Sequence, residues 1–317
     1  MSEAPTPPPA TIIGTGMITP IGLHTAATEA ALRAGIARIE ELEPAEGEEL
    51  GRQGAKIPLE ALGIEGEGQA SEWAGIALAE ACTQAEENVS TLSKVAFCLA
   101  LPEENTPEGL SEQLAARIPA TSVVTKITQG GNEAGFEALA AGLELLGDGK
   151  CAVAIVGAID VVDGSDRQGV IGEGAAFVVL HAKERAGAVR VIGATTQECP
   201  TDEPPQRADT LTEVLTQAKT WFETPPGLAI WDANGERARA IESSVAWNRV
   251  FGEAMRDEET WFTADKIGET GAAAALIHLC WAATTLEKKR VAGKDALIWG
   301  GSKSGRRGAC GLARSSS

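Results

Sequence analysis

The stretch TQGGNEAGFEALAAGLELLGDGKCAVAIVGAID, residues 128–160, constrains the fold more than any other part of this chain. Gly130 and Gly131 free the backbone for a sharp turn at its start. A helical apolar pattern follows, then a Gly-Asp-Gly break, then an uninterrupted apolar run. Such a run, short and without alternation, predicts a strand buried on both faces.

The same alternation continues on either side. ATIIGTGMITPIG reads as a β-rich run, and TAATEAALRAGIARI as a helix capped by Thr25. The acidic, Gly/Pro-punctuated segment 40–67 reads as a surface loop. SEWAGIALAEACTQAEEN and PEGLSEQLAARIP predict helices, and KVAFCLAL, TSVVTKIT, GEGAAFVVLHA and VRVIGATTQ predict strands. Further on, TLTEVLTQAKTWFE, ERARAIESSVAWNRVFG and GAAAALIHLCWAATTLEKK predict helices. GLAIWDAN predicts a strand, and DALIWGGSKSGRRGACGLAR a closing strand pair. Strand-helix alternation in both parts argues an α/β layered architecture with an internal pseudo-repeat. The expected organisation is a Pro-rich, disordered arm over residues 1–10, one half over 11–190 and a second over 191–317.

Charge and thiol chemistry narrow the function. A formal charge of −18 repels phosphates, which argues against nucleic acid and anionic membranes as partners. One region runs the other way: Lys288, Lys289, Arg290, Lys303, Arg306 and Arg307 cluster near the end of the chain, a candidate basic patch for a partner. Six scattered cysteines without CxxC spacing point to reduced thiols in a cytoplasmic protein, not to a disulfide frame. The three histidines, His24, His181 and His278, form no close pair, so neither a metal site nor a cofactor is expected. The opening MSEAPTPPPA has no basic or apolar region of the kind a signal peptide needs.

At this point the residues carry a resemblance. IIGTGMITPIG…LRAG resembles the N-terminal VTGxGxVTPxG…LxAG of the ketosynthase branch of the thiolase-like fold. Residues 132–160 are similar, without gaps, to that branch's CASG…GxADVAxAGxxD run. GEGAAFVVL resembles GEGAxxLVLE, and DANGERARAIE…NRVFG resembles EAHGTGT…IE…VFG. KIGETGAAAALI resembles KxxxGHxxGAAG, and SKSGRRGACGLAR is a loose echo of GFGGxNxxLxLxR. Six matches in order span almost the whole chain, which is about a quarter shorter than is usual for the branch. The resemblance implies a five-layered αβαβα fold of two pseudo-symmetric halves. It also implies a homodimer or heterodimer formed across the strand TSVVTKIT.

The chemistry implied by the resemblance is that of a reactive cysteine at a helix N-terminus, assisted by two histidines. In this chain the matching positions hold Asn132, Asn234 and Glu269, and the position of the branch's lysine falls on Ala264, with Lys266 displaced nearby. An amide is not a nucleophile, so acyl transfer through Asn132 is not expected. Asn132 is expected instead to cap the helix it opens. Cys151 and Cys280 read as core residues. The chain is therefore expected to be a non-enzyme, a pseudoenzyme without catalytic residues.

Shortened thiolase-like proteins that resemble this chain accompany type VI secretion effector clusters. This implies an adaptor or chaperone role with an effector as partner. The alternatives are a chain-length-factor-like partner subunit, working with a ketosynthase and acyl carrier protein, and a residual malonyl-thioester decarboxylase.

Overall fold

A computed structural model describes residues 9–42, 51–64, 69–85, 94–104, 106–162, 169–199, 204–252, 260–302 and 305–315, with the side chains of 204–207 excepted. The strands are β1 (Ala10–Ile18), β2 (Glu40–Glu41), β3 (Gln53–Ala55), β4 (Val95–Leu101), β5 (Val123–Gln129), β6 (Val153–Asp160) and β7 (Ile171–Gly172). They continue with β8 (Gly174–His181), β9 (Val189–Glu198), β10 (Ala229–Trp231), β11 (Thr260–Trp261), β12 (Asp295–Gly301) and β13 (Arg306–Arg314). The helices are α1 (Thr25–Arg33), α2 (Leu59–Leu62), α3 (Gln69–Gln84), α4 (Leu110–Ala115), α5 (Ala134–Gly147), α6 (Pro204–Lys219), α7 (Arg237–Phe251), α8 (Ala264–Ile267) and α9 (Ala274–Glu287).

Two five-stranded arrays of the same topology lie side by side. The first runs β1-β8-β6-β4-β5 and the second β9-β13-β12-β10-β11. In each, the third, fourth and fifth strands are parallel, and the two strands nearest the seam are antiparallel. The arrays meet through only two residue pairs of β1 and β9, Ala10↔Val191 and Thr11↔Arg190. This repeated order is the duplication that the sequence predicts, with the seam at β9.

Alternate residues of each central strand serve different cores, which explains the unbroken apolar runs. On β4, Ala96, Cys98 and Ala100 face the central core with α5 and α9, while Val95, Phe97, Leu99 and Leu101 pack outward with α3 and α4. On β12, Ala296 and Ile298 face the central core, and Leu297 and Trp299 pack outward with α6 and α7. Helices therefore lie outside, between and outside the two arrays, giving five αβαβα layers. Small residues on the inner face let the central helices sit close. On the outer face of β1 the approach is tighter still: a Cβ at Gly16 would stand 1.8 Å from the Ala77 carbonyl of α3. Gly16→Ala therefore forces a backbone shift, costing about 1–3 kcal/mol.

Several expectations need correction. β1 begins at Ala10, inside the span assigned to the arm, while residues 1–8 lie outside the described residues. Segment 40–67 is more than a loop: it holds β2, β3 and α2 where it is described, and β3 pairs with β7. His24, not Thr25, caps α1, its Nδ1 accepting from the Ala27 amide at 3.2 Å. The Thr25 hydroxyl is drawn to Glu80 of α3 at 3.0 Å instead. TSVVTKIT forms β5, an edge strand with Val124 and Ile127 exposed at 42% and 44%.

Candidate functional site

At the C-terminal ends of the parallel strands, four connections converge: the β5–α5 elbow, the β10–α7 turn, the α8–α9 turn and the end of β12. The elbow presents Asn132, the β10–α7 turn presents Asp232 and Asn234, the first turn of α7 presents Arg239, and the α8–α9 turn presents Glu269. Asp232 Oδ2 accepts three hydrogen bonds, each 2.9 Å long, from Asn132 Nδ2, an Arg239 guanidinium nitrogen and the Gly301 amide. The same guanidinium nitrogen lies 3.1 Å from Glu269 Oε1, and Asn132 Nδ2 is 3.4 Å from that oxygen. Asn234 Nδ2 donates to Glu269 Oε2 at 2.9 Å.

Asn132 and Asp232 are buried, 4% and 8% exposed, while Asn234, Arg239 and Glu269 are partly buried. A buried carboxylate is tolerated when paired and hydrogen-bonded, as Asp232 is, and the partly buried Glu269 is paired as well. Burial works against the Arg239 charge, but the attraction of Asp232 and then Glu269 outweighs it, holding the guanidinium above its usual pKa. Glu269 is fixed through its backbone as well, its amide donating to Val170 at 2.8 Å and its carbonyl accepting from Gly172 at 2.9 Å. Gly268 makes that approach feasible. Its φ is +70°, and a Cβ there would stand 2.4 Å from the Ile171 carbonyl.

The structure thus brings together Asn132, Asn234 and Glu269, as the resemblance implies. It corrects the reason for Asn132. The N-cap of α5 is Glu133, without a side-chain capping bond, and the Asn132 amide is spent on two carboxylates. Asp232 and Arg239 escaped sequence reasoning. A signal for them existed: arginines opening a helix oppose its dipole, so a buried arginine there implies a nearby carboxylate.

Two further buried ionisable groups flank the network. Glu133 is 2% exposed; its Oε1 accepts from the Gly131 amide at 3.3 Å, and a hydrogen bond from the Ser302 side chain favours its charged form. Burial pushes its carboxyl pKa up. His278 of α9 meets the Thr263 hydroxyl at 2.9 Å, and burial pushes its pKa down to about 4. Asp232 and Arg239 of the network also line a cleft of about 20 Å³, together with Glu236, Ser243, Trp299 and Arg307, room for a water or so.

The thiols lie elsewhere. Cys280 is fully buried, with Sγ 3.6 Å from the Phe177 carbonyl, and burial pushes its pKa up. Cys151 is half-buried against the central core, and burial raises it too. Lys266 turns to Asp265, at 2.6 Å, and to the Phe262 ring. Among the described residues no group of His, Cys, Asp and Glu is arranged to hold a metal ion. Nor, among them, is any helix long and apolar enough to cross a membrane.

The basic patch does not assemble as expected. Arg307 is 3% exposed and paired with Glu242, because alternation along β13 turns it inward. Arg306 pairs with Glu137 at 2.8 Å. Lys303 lies outside the described residues. Lys288, Lys289 and Arg290 form a separate group at the end of α9.

No protein-family profile matches the chain, and no curated protein does. Solved structures do match, over nearly all of it. The ishigamide ketosynthase/chain length factor is 18% identical, with 97% of this chain and 99% of that one covered and a TM-score of 0.74. A beta-ketoacyl synthase from Burkholderia phymatum STM815 is 16% identical, with 96% and 99% covered and a TM-score of 0.79. The AntDE:AntF complex, a type II PKS acyl-carrier protein with its ketosynthase bound to the hexaketide, is 15% identical, with 97% and 100% covered and a TM-score of 0.80. Together with the duplicated strand order, these likenesses give the chain the thiolase-like fold found in ketosynthases.

Proposed function

We propose that this chain is a non-catalytic partner subunit of the chain-length-factor kind, pairing with a ketosynthase-fold chain. The observation that carries the reading is the filled site. Where the resemblance implies a cysteine and two histidines, Asn132, Asn234 and Glu269 are tied to Asp232 and Arg239 in one partly buried network. Its amide and guanidinium donors are engaged with carboxylates, and Glu269 puts negative charge at the position where the resemblance implies a histidine donor to the forming enolate, which disfavours the decarboxylase reading.

The exposed edge of β5 supports pairing. A strand that leaves Val124 and Ile127 open is an aggregation hazard unless another chain covers it. The likeness to a ketosynthase/chain length factor favours this reading over the adaptor role in a type VI secretion cluster, which no observed feature supports. The test is co-expression with ketosynthases from the same genome, followed by affinity purification and mass measurement of the complex. The reading expects a one-to-one complex with a ketosynthase and with its acyl carrier protein as a weaker companion. A chain that never co-purifies with a ketosynthase and binds a secretion effector instead overturns it.

A further inference from the structure

The end of α9 carries a feature that the buried site does not use. Among the described residues, eleven of the twelve positions with left-handed φ are glycine, and the twelfth is Lys289, at φ 53°. The helix closes in a double turn, the Lys289 amide bonding to Leu286 at 3.1 Å and the Arg290 amide to Thr285 at 3.0 Å. That geometry places Lys289 at the position where glycine is strongly preferred, because a Cβ there is strained. A cation near a helix C-terminus is favourable, but any last-turn position supplies that benefit without strain.

Three more cations, two of them chain neighbours of Lys289, gather on one carboxylate. Arg33 Nε and Lys288 Nζ lie 3.7 and 3.8 Å from the carboxylate of Glu29, and Arg290 donates to it. Glu29 is 1% exposed, while the three cations remain 30–48% exposed, so their charged ends are held at the surface from beneath. One buried carboxylate cannot neutralise four cations, and the neighbouring exposed Glu287 leaves a surplus of positive charge. On a chain of net charge −18 this surplus is local. The 14 residues of α9 set it about 21 Å from the start of that helix, beside the site.

We propose that Arg33, Lys288, Lys289 and Arg290 form a preorganised docking surface for an acidic segment of a protein partner. The overall negative charge disfavours long polyanions such as nucleic acid and extended anionic membranes, whereas a short acidic segment meets only the local field. The inference is independent of the partner-subunit reading, since it uses no residue of the polar network or of β5.

The test is fluorescence anisotropy of a labelled oligoglutamate peptide with the full chain, over a salt series, with melting temperature followed in parallel. Lys289→Gly removes the charge and the strain together. It is expected to weaken peptide binding roughly twofold to fivefold, while the melting temperature rises by about 1–3 °C. Lys289→Asn, which also tolerates left-handed φ, is expected to weaken binding likewise. Absence of peptide binding, affinity unchanged in both variants, or tighter binding to duplex DNA or phosphatidylserine vesicles overturns the proposal.

Discussion

Asn132 donates its side-chain amide to Asp232 across 100 residues of sequence, at 2.9 Å, and so ties the elbow of the first half to the β10–α7 turn of the second. The bond is a polar link between the two pseudo-symmetric arrays, which also meet through the β1–β9 pairs and the shared central core around α5 and α9. The network around it is thus a structural rivet as well as the filling of a site.

Arg239 is the most costly member to remove. Arg239→Met leaves the buried Asp232 and the partly buried Glu269 with no compensating cation, and the expected loss is about 3–5 kcal/mol. Chemical denaturation checks this. Combining the change with Glu269→Gln should recover part of the loss, a coupling that a double-mutant cycle measures.

Restoring a thiol should not restore reactivity. Asn132→Cys places sulfur against two carboxylates, which disfavour a thiolate and raise its pKa. Its alkylation by iodoacetamide at pH 7 is expected to be slower than that of free cysteine, although the new thiol sits beside the start of α5. Lost hydrogen bonds to Asp232 and Glu269 should cost about 1–3 kcal/mol.

Two buried groups give opposite pH signatures. His278 is neutral in the fold, with its pKa held down at about 4 by burial. The unfolded chain takes up the proton first, so stability present above pH 6.5 is lost as pH falls toward 4, by roughly 3 kcal/mol in all. Glu133 is displaced upward by burial. Its contribution is intact below about 4.5, the unfolded value, and is lost as pH rises through the folded one. Urea unfolding at a series of pH values should show the acid-side loss diminished in His278→Gln, and a gain in Glu133→Gln that appears only on the alkaline side.

Ile127 tests the pairing edge. Half-exposed on β5, it contributes little to the fold of one chain, so Ile127→Asp should shift monomer stability by no more than about 0.5 kcal/mol. Light scattering of the co-expressed complex should nevertheless show dissociation.

Much of the architecture was legible in the sequence because period and punctuation agree with it. The run CAVAIVGAID predicts a fully buried strand, and β6 is buried throughout, its alternate residues divided between two cores. The site was only half legible. Asn132, Asn234 and Glu269 stand at positions marked by resemblance. Their partner Arg239 lies within a helix, and Asp232 lies at the end of a strand of only three residues, β10. Local pattern carries no information about which distant carboxylate a guanidinium meets. Arg307 misled for a related reason: within a run of cations it reads as part of a basic surface patch, yet it occupies an inward position of β13.

The most direct test of the central claim is the intact mass of this chain after incubation, alone and in its ketosynthase complex, with acyl and malonyl thioesters of a carrier protein. The account predicts an unmodified chain and no thioester consumption beyond that of the partner ketosynthase. An acyl adduct on this chain, or malonyl decarboxylation by the chain alone that Glu269→Gln alters, would contradict it.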